Sequence, residues 1–220
     1  MSPPSIGARS GFDLPAAPKK NSNAENDVRS PRGREPSIKH DALGRVHRLL
    51  RAATRADHAL LDRMMLRIDL ATPQDYGIFL QLHQRVLQTL EAYWREEDRE
   101  DFAGMQRAVA QDIQALGIAT SPTTRAVGHT PLLLSHQWGL AYVVRGSRLG
   151  AKFLRRGVPS GLPTAYLDFT PALTWPRFLE QLELIPEDSS GATRDDSIRG
   201  ARVAFEIFAG VFTQALAGKQ

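Results

Sequence analysis

The chain contains no cysteine, so thiol nucleophiles, thiolate metal ligands and disulfides are excluded at once. Redox or metal chemistry then has to run through six histidines: His40, His47, His58, His83, His129 and His136. None forms an HExxH pair, no two stand four apart, and no Glu-x-x-His occurs. Zinc-protease and di-iron carboxylate sites therefore lack their donors. Serine nucleophile elbows, glycine-rich phosphate loops and Walker motifs are also missing.

His58 has the neighbours that a ligand histidine needs. Arg51, Arg55, His58 and Asp62 fall on one face of a helix. Asp62, one turn after His58, is placed to accept a hydrogen bond from the second ring nitrogen, which is how a metal-bound imidazole is oriented. Arg51 and Arg55 precede it by two turns and one, where they can meet carboxylates of a ligand. The plainer reading of the same spacing is a solvated face of three charges and a surface histidine.

A second feature is Gly146-Ser147-Arg148-Leu149-Gly150-Ala151. Each glycine inside a helix costs roughly 0.5–1 kcal/mol relative to alanine. Two of them four residues apart leave a smooth strip that a flat group can approach closely, and a point at which the helix can bend. Tyr142, one turn earlier, borders the strip. Close helix–helix packing on small residues, with Tyr142 as ordinary core, accounts for the pattern equally well.

The other histidines offer less. His83 stands among leucines and reads as a core or interface residue. His136 precedes Gly146 by ten residues, about 15 Å of helix, too far to reach a group seated on the glycine strip. His129 precedes a helix and reads as a capping or solvent-facing residue, while His40 and His47 receive no role. Trp94, Trp138 and Trp175 read as packing anchors.

These residues need helices to position them. From Leu43 to Ile68, apolar residues recur at three- and four-residue steps, which predicts a first helix starting near Asp41. Thr72-Pro73-Gln74-Asp75 is a helix start, with Thr72 as cap and Pro73 in the first turn, and that helix runs to about Trp94. A third spans about Arg99–Leu116 and stops at Gly117. After a loop over 118–130, a long helix runs from about Leu132 to Arg156, a shorter one covers Trp175–Ile185, and the last runs from about Asp195 to Leu216. Tyr142-Val143-Val144 is the only β-prone cluster and lies inside the long helix. The expected fold is all-α, a single domain of six or seven helices over 41–217.

Residues 1–40 read as a disordered basic tail. They hold six of the 14 prolines and only ten hydrophobic residues, too few to offset the entropy of ordering. Seven of their residues are basic and four acidic, so the tail carries +3 of the net +4. The body is close to neutral, and nucleic-acid binding is not expected. No apolar run approaches the ~20 residues that span a bilayer, and the first 30 residues lack the apolar stretch of a secretory signal. By elimination the expected location is cytoplasmic, without membrane insertion.

Leu50-Arg51-Ala52-Ala53-Thr54-Arg55-Ala56-Asp57-His58, continuing to Leu61-Asp62, resembles the proximal helix of heme oxygenases. Gly139-Leu140-Ala141-Tyr142-Val143-Val144-Arg145-Gly146-Ser147-Arg148-Leu149-Gly150-Ala151 resembles their distal helix in its bacterial, biliverdin-producing form. The order agrees, with about 90 residues between the segments, and the resemblance covers roughly residues 41–217.

The resemblance implies an all-α fold with heme b, at once substrate and prosthetic group, between the first helix and a kinked distal helix. His58 matches the axial iron ligand and Asp62 the acidic residue that supports it. Arg51 and Arg55 match basic positions near the propionates, as does Arg156 in some bacterial members. Tyr142 borders the ring. Gly146 and Gly150 match the glycines that bring the distal backbone over the heme, and Ser147 falls where animal enzymes carry Asp. Bacterial relatives usually have Glu where this chain has Arg145, and many have Gly where it has Ala151.

The implied reaction is oxidative cleavage of heme to biliverdin, CO and ferrous iron, using O2 and electrons from a donor such as a ferredoxin or a reductase. Biliverdin would then pass to a phytochrome, or the iron would be recovered. The alternative is a heme carrier or sensor without turnover.

Overall fold

The computed structural model describes residues 44–119, 134–185 and 192–217, which all belong to one compact unit. The tail at 1–40 and most of the 118–130 loop, with His40 and His129, lie outside the described residues. The described chain is all-α, with no strand and eight α-helices rather than six or seven. They are α1 (Arg45–Ala53), α2 (Arg55–Met65), α3 (Pro73–Leu90), α4 (Arg99–Ala115), α5 (Gln137–Leu154), α6 (Ala165–Asp168), α7 (Trp175–Glu183) and α8 (Ala192–Ala217).

The first predicted helix is divided at Thr54, whose backbone sits at φ −108°, ψ 9°. Its hydroxyl donates to the carbonyl of Leu50 at 2.8 Å, the back-bonding that bends helices. The ladder nearly carries through, since the Thr54 and His58 amides still donate to Leu50 and Thr54. Arg51 thus lies in the last turn of one helix and Arg55 begins the next.

α3 starts as its sequence dictates. Thr72 is extended, its hydroxyl accepts from the Asp75 amide at 3.2 Å, and Pro73 opens the helix. α4 ends in a Schellman turn, with Gly117 at φ +66°. The Gly117 amide donates to Gln114 and that of Ile118 to Ile113. α5 runs unbroken through Gly146 and Gly150 and passes into a 3₁₀ turn at Arg155–Gly157, so no interruption separates the two glycines.

α8 is the spine. α1, α2, α3 and α5 all pack on it. Its crossing with α5 is backbone on backbone. A methyl at Gly139 would overlap the Ser197 carbonyl oxygen and the Ala201 amide nitrogen, and one at Gly200 would overlap the His136 carbonyl oxygen. The core fills behind this crossing, with Tyr76, Phe79, Leu80 and Leu90 of α3, Phe102 and Met105 of α4, and Phe212 of α8 almost fully buried.

His83 is part of that core, as its neighbours in sequence suggested. Its ring packs 4.1 Å from Phe79 and 5.3 Å from Tyr166, and its Nδ1–H donates to the Phe79 carbonyl at 2.8 Å. Burial pulls its pKa down from 6.5 to about 4. A histidine that stays neutral when folded lets the unfolded chain take up the proton first. Stability is therefore complete above pH 6.5 and falls as pH drops toward 4. Between pH 7.5 and 4.5 the wild type is expected to lose about 2.5 kcal/mol more than His83→Leu, from ~1.36 kcal/mol per pKa unit. Urea titrations of both at the two pH values test this, and equal losses would show that His83 does not set the pH dependence.

Candidate functional site

His58 and Asp62 lie on the outer side of α2. His58 Nδ1 is 3.0 Å from Asp62 Oδ2, the pairing that the spacing predicts. An ionised carboxylate only accepts, so the hydrogen sits on Nδ1 and the lone pair on Nε2. The two side chains are 67% and 66% exposed. The His58 ring also lies 6.0 Å from that of Phe205 on α8. The imidazole is thus largely open to solvent, and its tautomer is set by Asp62.

Arg51 and Arg55 are exposed, and neither makes a hydrogen bond or ion pair among the described residues. The break at Thr54 separates them, but Arg51 still acts on the start of α5. Burial raises the pKa of Tyr142, and the nearby Arg51 charge works against that rise.

The same corner holds His47, for which no role is expected from its sequence neighbours. Its ring lies 5.9 Å from Tyr142 and 6.0 Å from Trp175. Burial lowers its pKa, with Arg51 and Arg48 in the same direction and Glu183 opposed. Glu183 holds this end of α1 by accepting the amides of Val46 and His47 at 3.0 and 2.9 Å. The available signal was spacing, because His47 stands one turn before Arg51 and continues its face.

The two readings of the glycine strip separate clearly. Helix-to-helix packing on small residues occurs at Gly139 and Gly200, not at Gly146 and Gly150. A methyl at Gly150 would meet nothing within 4 Å, and one at Gly146 would lie 3.6 Å from the outer edge of the Trp175 indole. Leu149 and Phe153, on the same side of α5, are 59% and 63% exposed. Ala151 is buried and lies about 100° around the helix from Gly150, so its extra methyl points away from the open strip. Ser147 Oγ donates to the Val144 carbonyl at 2.7 Å, which commits its proton to its own helix. Arg156, in the 3₁₀ turn after α5, is exposed and without an ion pair among the described residues.

Arg145 turns away from the strip and is 2% exposed. It donates to Asp98 Oδ1 (2.9 and 2.6 Å), Asp101 Oδ2 (2.9 Å) and the Leu173 carbonyl (2.9 Å). Asp98 also receives Arg95, which stacks 3.7 Å over Trp138. Two buried cations thus face two buried carboxylates, all hydrogen-bonded, the condition under which buried charge is tolerated. Arg148 caps the end of α6 by donating to the carbonyls of Tyr166, Leu167 and Phe169.

His47 and Tyr142 therefore meet within reach of the Arg51 charge, and His58 and Asp62 meet. No hydrogen bond, ion pair or ring contact joins α2 to α5 among the described residues; both rest on α8. No group of three or more His, Asp or Glu side chains converges among them, so a metal here would have to bring most of its own ligands. No described helix is long and apolar enough to cross a membrane. No protein-family model matches the chain, and no curated protein matches it.

Proposed function

We propose that the chain is a heme oxygenase, which binds heme between α2 and α5 and cleaves it to biliverdin, CO and ferrous iron. The observation that carries this reading is His58, an exposed imidazole whose Nδ1–H is held by Asp62 and whose Nε2 lone pair is free. An iron porphyrin supplies four of the iron's ligands itself, which suits a surface with one ligating histidine and no metal cluster.

The residues present fit the group. Gly150 leaves open space beside α5 and offers no competing side-chain ligand. Exposed Leu149 supplies apolar surface next to it. Arg51, Arg55 and Arg156 carry guanidinium groups not engaged by described carboxylates, which suits propionates. When bound, heme would supply the iron that activates O2 and the ring that is opened, with electrons from an external donor. His58 would hold the ring from one side, and Asp62 would keep the proton on Nδ1. The Ser147 hydroxyl, having given its hydrogen to Val144, has only acceptor capacity left for an ordered water. Arg145 lies in its buried cluster, so its departure from the usual Glu gives no reason to prefer a carrier or sensor.

The test is a titration with ferric heme, followed by reductant and O2. A Soret band and then a bile pigment are expected, whereas a heme complex that survives reductant and O2 would identify a carrier. Gly150→Leu is expected to abolish the Soret band while far-UV helicity stays near wild type, since the side chain enters open space. Normal heme affinity in that folded variant would remove α5 from the site.

A further inference from the structure

We propose that Trp175 is the positioning residue of the α5 strip, a fixed aromatic stop limiting the bulk that a flat ring can carry on the edge nearest Gly146. This deepens the heme reading above and rests on it.

The strip is unequal along its length. From Gly146 to Gly150 it spans one helical turn, about 6 Å. A methyl at Gly150 would meet nothing, while one at Gly146 would already lie in van der Waals contact with the Trp175 indole. A flat ring on Gly150 therefore has freedom at one end and meets an aromatic edge at the other.

That edge is held on two sides. Its ring packs against Tyr142 at 5.5 Å, Phe178 at 5.7 Å and His47 at 6.0 Å. The residues just before it are tied to the protein by three hydrogen bonds. Asp101 accepts the amides of Ala172 and Leu173 at 2.6 and 3.1 Å, and Arg145 donates to the Leu173 carbonyl at 2.9 Å. Arg145 belongs to α5 itself, so the helix that carries the strip also fixes the distance to its stop. The backbone that carries the indole cannot shift for a bulkier ring without breaking these buried charge-assisted bonds, each stronger than an ordinary one, and the indole itself can turn aside only by giving up its packing on Tyr142, Phe178 and His47. A stop of this kind discriminates by single methyl groups, for which ~10-fold effects are typical.

The probes are the four ferric meso-methylmesoporphyrin isomers, each with its extra methyl on a different edge. The full chain is titrated with each and read by its Soret band. Wild type is expected to bind at least one isomer about tenfold more weakly than the best. Trp175→Ala is expected to bring that isomer within about twofold, and Trp175→Phe, which keeps an aromatic edge, to retain most of the gap. A ranking unchanged in folded Trp175→Ala overturns the stop while leaving heme binding intact. An equal gain for all four isomers also overturns it, because Trp175 would then be a lid. No Soret band with any isomer in wild type overturns the heme reading, and the stop with it.

Discussion

His58→Ala is expected to erase the spectrum of histidine-ligated heme and to stop most biliverdin formation. The loss should exceed the ~10–100-fold typical of a lost outer-shell partner, because the ligand itself is gone. Heme would still enter through its propionates and apolar faces. Added imidazole is expected to restore part of the activity by filling the space left on α2. Asp62→Asn should fall within the outer-shell range, since it removes only the acceptor 3.0 Å from Nδ1. His83→Ala and His136→Ala should leave ligation intact, both side chains being buried. His47 is the rival, because its ring stands near Tyr142 and burial lowers its pKa. If His47→Ala erased the histidine-ligated spectrum and His58→Ala did not, the ligand would belong to α1 and the assignment of α2 would fall.

The second large effect is on the fold. Gly139→Ala and Gly200→Ala are each expected to destabilise the chain by about 2–4 kcal/mol, the scale of overpacking against parts that cannot repack. The obstacles are backbone atoms of Ser197, Ala201 and His136, not flexible side-chain ends. Gly150→Ala is expected to act in the opposite direction, stabilising by roughly 0.5–1 kcal/mol, because alanine suits a helix better and its methyl meets nothing. Urea midpoints of the three variants give the comparison. Gly139→Ala within 0.5 kcal/mol of wild type, taking roughly the range of ordinary surface substitutions, would mean that the helices do not touch there.

What the sequence made legible was local. Thr72 and Gly117 announce their helix ends, because a cap and a left-handed residue act within a few positions of themselves. The His58–Asp62 pair is legible for the same reason, being one turn apart. The break at Thr54 was hidden because threonine is common inside helices, and only its hydroxyl's choice of the Leu50 carbonyl bends the chain. α6 was missed because a single turn has no period to detect. The glycines show the limit most clearly. Gly139, Gly146, Gly150 and Gly200 are alike in sequence, and only the crossing with α8 decides which are needed for contact and which leave room. The partners of Arg145 lie 47 and 44 residues away, beyond any helical spacing.

That cluster has an evolutionary consequence. Where the resembled family usually carries Glu, this chain carries Arg145 between Asp98 and Asp101. A glutamate there would set three carboxylates around one remaining buried cation, Arg95, and leave negative charge in excess out of water. Arg145→Glu alone is therefore expected to destabilise the fold, and a change of the acidic residues at the start of α4 would have to accompany it to restore the balance of charge. Position 145 and positions 98 and 101 should accordingly be inherited as a block, even though none of the three faces the strip where the chemistry is proposed to occur.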